Sequence, residues 1–269
     1  MTKSTPIKAI ALDLDGTLLT TNKKISSRTV RLINNLVDQG LFVCIATGRS
    51  LSTTKQFIEH LNIKTPLICY NGACIHDMKN NADISHITID EQIGREMVRL
   101  SMKTTAYFHM FLNHQLYFAP GSETADFLEP MSAEIGTTVD LASLADTRFT
   151  KGMYVGEPDV TLPIKHELER LFPNQLNIVY SHPQYLEVMP KEATKGKALA
   201  ALLKQNQIAA SETIAFGDAE NDVEMLTWAR YGVAMGNAPE HVRLLVPYTT
   251  LSNDEDGVAV WLENFFQNS

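Results

Sequence analysis

Ile10-Ala11-Leu12-Asp13-Leu14-Asp15-Gly16-Thr17 is a short apolar run that ends in two carboxylates, a glycine and a threonine. Residues two apart in an extended segment point to the same side, so Asp13 and Asp15 share a face. Without a cation or a proton they repel each other and any phosphate that approaches. Asp and Gly also build ordinary turns, so on its own the stretch has a second reading. A chance match to Asp-x-Asp-Gly-Thr in a chain of this size is on the order of one in a thousand at average residue frequencies. Its place straight after an apolar run makes chance a poorer account still.

The same design recurs along the chain. Leu41 to Ala46 runs into Thr47-Gly48-Arg49, and Leu67 to Tyr70 runs into Asn71-Gly72. Ile214 to Phe216 runs into Gly217-Asp218, and Val233 to Met235 runs into Gly236-Asn237. Short apolar runs without polar alternation read as strands buried on both faces, the habit of parallel sheets. Helical patterns lie between them. Ser26 and Ser27 are candidate N-caps for a helix carrying Val30, Ile33, Leu36 and Val37 on one face, with Gly40 at its end. Lys197 to Gln205 and Val223 to Ala229 also read as helices. Strand alternating with helix predicts an α/β fold, a doubly wound, Rossmann-like parallel sheet whose ligands bind beyond the carboxyl ends of its strands.

The middle of the chain, 83–189, has another grammar. Ala106 to Leu112 and Gln115 to Ala119 predict a hairpin around Asn113-His114, and Asn177 to Val188 a second one turning near Ser181-His182-Pro183. Helices are expected near Glu91–Met102 and Pro163–Phe172. The reading is an inserted α+β domain, with residues 1–82 and 190–269 forming the core around it.

Composition narrows the function. Of 269 residues 44% are hydrophobic and 20% charged, and 23 basic against 31 acidic side chains give a net charge of −8. That balance disfavours a partner such as nucleic acid or an anionic membrane. The run at Ile10 is too short and too charged for a signal peptide, and no later run has the length of a bilayer span. Three cysteines cannot all pair, and Cys44 and Cys69 sit in apolar runs, so buried reduced thiols and a cytoplasmic location are expected. The chain has no Gly-x-x-x-x-Gly-Lys-Ser/Thr, Gly-x-Gly-x-x-Gly or Gly-x-Ser-x-Gly, and its eight histidines lack paired zinc-ligand spacing. His109 and His114 flank a hairpin turn and read as surface. The aromatics Tyr107, Phe108, Phe111, Tyr117 and Phe118 read as the core of the inserted domain.

A second acidic cluster, Gly217-Asp218-Ala219-Glu220-Asn221-Asp222, follows another strand and could by itself be a helix cap. Taken with the first it brings Asp13, Asp15, Asp218 and Asp222 to one sheet edge. Two unit charges 4 Å apart repel by about 4 kcal/mol at an effective dielectric near 20. Such a group needs compensation, and a hard divalent cation with oxygen ligands supplies it; Mg²⁺ suits carboxylates shared with a phosphate. Thr47 and the turn after it offer a hydroxyl and backbone N–H groups to a phosphate oxygen. Lys195 opens a helix on re-entry from the inserted domain.

Asp13-x-Asp15-Gly-Thr, Thr47, Lys195-Gly196 and Gly217-Asp218-x-x-Asn221-Asp222 stand in the order of the four motifs of the haloacid dehalogenase-like (HAD) hydrolases, which the chain resembles. Within them it resembles the Cof-type sugar-phosphatase branch, through Ala46-Thr47-Gly48-Arg49, Tyr70-Asn71-Gly72-Ala73, Gly232 to Ala238 and Ser252 to Ala259. The resemblance implies a phosphatase with Mg²⁺ as cofactor and a small phosphorylated metabolite as substrate, the insertion acting as a cap. It implies Asp13 as nucleophile and Asp15 as general acid and base, with metal ligands from Asp13, Asp218 and the backbone carbonyl of Asp15. Asn221 and Asp222 would support the metal; Thr47, Gly48, Lys195 and Asn221 would hold the phosphate. Asn71 and Gly72 would form a substrate loop facing the cap. Two other readings share the motifs: a phosphomutase, and a silent binder of phosphorylated metabolites. Sugar phosphates come first among substrates, then esters such as pyridoxal phosphate or flavin mononucleotide. Oligomeric state is not legible.

Overall fold

The computed structural model describes residues 6–121 and 136–267. Residues 122–135, inside the expected insertion, and 1–5 and 268–269 lie outside the described residues. The chain divides into two compact units. One comprises 1–49, 54–84 and 194–269, the other 50–53 and 85–193.

The first unit is built on a five-stranded parallel sheet. Its order is Tyr248–Thr249, Tyr231–Ala234, Thr213–Gly217, Ala9–Leu12, Phe42–Ile45. All residues of Ala9–Leu12 and Thr213–Gly217 are buried, so the sheet is covered on both faces. The alternation along each strand is one of size. Ala9, Ala11, Cys44, Ala46 and Ala215 share a face with Leu199, Leu202, Met225 and Leu226 of the helices Lys195–Gln205 and Val223–Trp228. Small side chains let those helices lie close. On the other face Phe216 meets Trp261 of the helix Gly257–Gln267 edge-on, with ring centroids 5.5 Å apart.

The helix Ser27–Asp38 starts as its caps predict: the Ser26 side chain accepts from the Thr29 N–H, and Gly40 leaves it at φ 89°. The run at Leu67 is corrected. Leu67–Cys69 does not join the parallel sheet as a strand but pairs antiparallel with Cys74–Asp77 in a three-stranded sheet completed by Ala82–His86. The bridge Ala46↔Ile68 and the Thr47 N–H to Ile68 O bond, 2.9 Å, tie it to the main sheet. The cause is the reversal that follows, where Tyr70, Asn71 and Gly72 take φ of 52°, 54° and 100°. Cys44, Cys69 and Cys74 are free and buried, and burial pushes the Cys69 thiol up to about 12.

The second unit carries a six-stranded sheet ordered Leu176–His182, Tyr185–Pro190, Lys151–Val155, Tyr107–Leu112, Gln115–Phe118, Thr137–Thr138. Only the last pair is parallel. Both hairpins are present. Asn113 and His114 turn the first at φ 50° and 63°, the conformation of a two-residue type I′ turn. Helices Glu91–Ser101 and Pro158–Leu171 cover one face, packing Met97, Val98, Ile164 and Leu168 on Phe108, Tyr154 and Leu186.

Three expectations fail here. The second helix begins at Pro158, with Pro163 inside it, because Pro158 takes the first helical position, where a missing N–H costs nothing. His109 is buried, 1% exposed, and stands edge-on to Phe118 at 4.9 Å; it lies well inside its strand, away from the turn. Of the aromatics read as core, Phe108, Phe111 and Phe118 are buried and Tyr117 packs partly buried against the cluster that holds Phe108, but Tyr107, at the start of its strand, is exposed. Among the described residues no helix is long and apolar enough to cross a membrane.

Candidate active site

Strand order in the parallel sheet reverses between Ala9–Leu12 and Thr213–Gly217, which pair through Leu12↔Phe216. A crevice opens beyond the strand ends at such a switch point. Asp13 leaves the first strand there and Asp218 the second. Thr47 ends the neighbouring strand, where the Ala46 N–H donates to Leu12 O at 2.9 Å.

Lys195 is the centre of the arrangement. It is 2% exposed, and its Nζ donates to Asp13 Oδ1 at 2.6 Å and Asp222 Oδ1 at 2.7 Å. The other oxygen of Asp222 accepts from the backbone N–H groups of Asp218 and Ala219, both at 3.0 Å. Asp222 thus has donors on both oxygens and fixes both Lys195 and the acidic turn. Asp13 keeps Oδ2 without a hydrogen bond among the described residues. Thr17 donates its hydroxyl to Asp218 Oδ1 at 3.3 Å. Gly16, at φ 77°, passes so close that a Cβ there would sit 2.2 Å from Asp218 Oδ2. Only glycine allows both that backbone and that approach.

Asp13, Asp218 and Asp222 present oxygens within 4.8 Å of one another. Three carboxylates around one ammonium leave net negative charge in a buried place. Burial pushes the Asp13 carboxyl well above the ordinary carboxylate range, and Asp222 and Asp218 add to it against Lys195. Burial raises Asp218 to about 6, with Asp222 contributing. Burial works against the charge on Lys195, but Asp13 and Asp222 overcome it and hold the ammonium above its usual value. An oxygen-only donor set with excess negative charge fits a hard divalent cation.

Asp15 faces elsewhere. Arg49 grips it as a fork, Nε to Oδ2 at 2.5 Å and Nη2 to Oδ1 at 2.7 Å, and Lys23 Nζ adds a 2.7 Å bond to Oδ1. The Arg49 guanidinium lies over the Phe57 ring, 4.3 Å from its centroid. Burial opposes ionisation of Asp15, but the bonds from Arg49 and Lys23 outweigh it and hold the carboxyl below its ordinary value. Its carboxylate is not a member of the three-acid cluster.

Asn71 and Asn221 meet directly: Asn221 Nδ2 donates to Asn71 Oδ1 at 2.8 Å. Asn71 is buried and lies against Gly48, where a Cβ would come within 2.9 Å of its side-chain oxygen. Gly72 packs on the Thr194 carbonyl just before Lys195. The Thr47 hydroxyl accepts from the Arg49 N–H at 3.1 Å, closing the turn that carries Gly48. The structure thus gathers Asp13, Lys195, Asp218 and Asp222 in one cluster and Gly48, Asn71 and Asn221 in another. Sequence reasoning gave no role to Arg49, Lys23, Thr17 or Asn237. Arg49 and Asn237 do lie in the segments quoted for the Cof-type resemblance.

Residues 10–262 match the family described as haloacid dehalogenase-like hydrolase. The 5-amino-6-(5-phospho-D-ribitylamino)uracil phosphatase of Bacillus subtilis is 30% identical over 275 residues, 96% of this chain and 97% of that protein. The solved structure of a haloacid dehalogenase-like hydrolase from Bacteroides thetaiotaomicron matches with a TM-score of 0.88 at 27% identity, over 96% of this chain and 99% of that one. A sugar phosphatase of HAD subclass IIB matches with a TM-score of 0.82 at 25% identity, over 96% and 98%. The chain belongs to the haloacid dehalogenase-like hydrolases, and its class within them is phosphatase.

Proposed function

We propose that the protein is a Mg²⁺-dependent phosphatase of small phosphorylated metabolites, acting through an aspartyl-phosphate on Asp13. The observation that carries this reading is the buried cluster at the switch point, three neighbouring carboxylates of which two are bonded to Lys195. A carboxylate nucleophile divides one difficult displacement into two easier ones. An oxygen of Asp13 attacks phosphorus, the bond from phosphorus to the leaving oxygen breaks, and Asp15 gives that oxygen a proton. Water then attacks the phosphorus of the aspartyl-phosphate and loses a proton to Asp15, and Asp13 departs from inorganic phosphate as a carboxylate. Asp15 must loosen from Arg49 and Lys23 to carry the proton of the first step.

Asp13, Asp218 and the backbone carbonyl of Asp15 would hold Mg²⁺, with Asp222 fixing the turn that carries Asp218. When bound, the ion supplies positive charge against the phosphoryl oxygens. Lys195 brings a second positive charge that needs no reorientation, because two carboxylates already fix it. Thr47, Gly48 and Asn221 lie at the same strand ends and suit a phosphate oxygen.

Phosphates of sugars and polyols are the first substrate class. The Bacillus subtilis relative is named for a phosphoribityl compound and the subclass IIB neighbour for sugars, which supports that choice. The test is phosphate release from a panel of small phosphomonoesters, with Mg²⁺ and with a chelator, for wild type and Asp13→Asn. Release that needs Mg²⁺ and falls below detection in the variant is expected. Release surviving in the variant would remove Asp13 as nucleophile, and an isomeric monophosphate formed from a bisphosphorylated sugar would point to a mutase.

A further inference from the structure

Two segments of the first unit stand outside the chemistry above, the turn at Gly236-Asn237 and the 3₁₀ turn Asn253–Glu255. Both end on the loop that carries Asp13. Asn237 Nδ2 donates to the Gly16 carbonyl at 2.9 Å and to Asp218 Oδ2 at 3.3 Å. Its Oδ1 accepts from the Asn253 N–H at 3.0 Å. That backbone donor settles which way the carboxamide points: the oxygen must face Asn253, so the nitrogen faces Gly16 and Asp218. Asn253 in turn sends Nδ2 to the Leu19 carbonyl at 2.8 Å. Asp254 takes the Thr21 N–H at 2.8 Å and the Thr21 hydroxyl at 2.6 Å. The Asp13 loop is thus stapled from Gly16 to Thr21.

Asp218 is the member of the acid cluster held by the longest side-chain bonds, both 3.3 Å. Asp222 accepts from Lys195 and from two backbone N–H groups, and Asp13 is tied to Lys195. Asp218 has the Thr17 hydroxyl on one oxygen and Asn237 on the other. Asn237 is a neutral donor, so it orients a carboxylate without cancelling the charge a cation needs. It also holds the carbonyl of Gly16, next in the chain to Asp15, whose own carbonyl is assigned to the metal above.

We infer that Asn237 is a positioning residue for the cation: it sets Mg²⁺ affinity by orienting Asp218 and by holding the backbone of the Asp13 loop at Gly16, without touching the transferred phosphate. The inference rests on the metal reading of the preceding subsection. Loss of a partner behind a metal ligand commonly weakens binding about 10–100-fold. For Asn237→Ala the Mg²⁺ dissociation constant should rise about tenfold or more.

The test titrates Mg²⁺ alone into the chelator-treated full chain, by calorimetry and by the Mg²⁺ midpoint of the thermal-shift curve. Wild type, Asn237→Ala and Asp218→Asn are compared, and Asn237→Ser replaces the alanine variant if that one does not fold. The expected result is a weaker Mg²⁺ constant at an unchanged metal-free melting temperature, with turnover recovered at high Mg²⁺. An unchanged constant, or one that shifts only together with a large fall in metal-free stability, overturns the inference. Wild type that binds no Mg²⁺ removes the metal reading itself, whatever Asn237→Ala does.

Discussion

Among the described residues two lysines are buried against carboxylates, one in each unit. Lys195 lies among Asp13, Asp218 and Asp222, and Lys151 pairs with Glu187 at 2.8 Å, both side chains 8% exposed. The second pair is balanced. One ammonium meets one carboxylate in this ion pair, and the Ser181 hydroxyl also donates to Glu187 Oε1 at 2.9 Å. The first is not, because one ammonium cannot offset three acids. The difference teaches what the two are for. A one-to-one pair carries no excess charge of its own, whereas the unbalanced cluster reaches neutrality only by taking up protons or a cation. Burial alone does not separate these two lysines; the charge count around each does.

Removing Lys195 should have the largest effect. In Lys195→Met the Asp13 and Asp222 carboxylates stay buried without their cation, a change that costs about 3–5 kcal/mol in comparable sites. Loss of a fixed positive charge at a reacting centre slows turnover about 10²–10³-fold. Urea denaturation and phosphate release at saturating Mg²⁺ measure both. Stability restored by Mg²⁺ with activity still absent would fit the comparison best, since the ion can supply charge but not the position of Nζ. Full activity in the variant would break it.

The balanced pair should behave differently when both partners go. Lys151→Met alone takes the ammonium away from the buried Glu187 carboxylate and should cost about 3–5 kcal/mol. Lys151→Met with Glu187→Leu should return to within about 1 kcal/mol of wild type, because apolar replacements of a buried pair are often neutral or better. Denaturation curves of the two single variants and the double close the cycle. A double variant as unstable as the sum of the singles would mean that Lys151 and Glu187 each serve a partner other than the other.

These contrasts mark where the sequence could be read and where it could not. Strand ends were legible, because a buried run stopping at Asp13 or Asp218 is a local event and parallel sheets gather such ends at one edge. The charge count around each lysine was not. Lys195 and Asp13 are 182 positions apart, and nothing in Thr194-Lys195-Gly196-Lys197 separates the buried lysine from its neighbour. Arg49 was visible in its motif, but its fork on Asp15 depends on how the turn after Thr47 folds. Leu67–Cys69 misled because an apolar run of three or four residues looks the same in a parallel and an antiparallel sheet. Pro163 misled because another proline, five residues earlier, already occupied the position that prolines favour.

The smallest effect is the most direct measure of the excess charge. Burial and Asp222 raise Asp218 to about 6, from an ordinary value of 3.8. Between those two pH values the folded protein therefore holds a proton that the unfolded chain has released. Stability falls with rising pH wherever the folded state binds more protons, so without metal this group makes the protein less stable as pH climbs from about 4 to 6. Below that window both states are protonated and the penalty vanishes; above it the penalty is complete, at most about 2–3 kcal/mol. Asp218→Asn removes it. The melting temperature of the variant relative to wild type, measured with a chelator, should thus rise across the window and level off above about pH 6. Added Mg²⁺ should reverse the order at the upper end, because the ion stabilises the ionised carboxylate that only wild type possesses. A difference that stays flat with pH would mean that Lys195 already offsets the cluster, and the contrast between the two buried lysines would then lose its electrostatic basis.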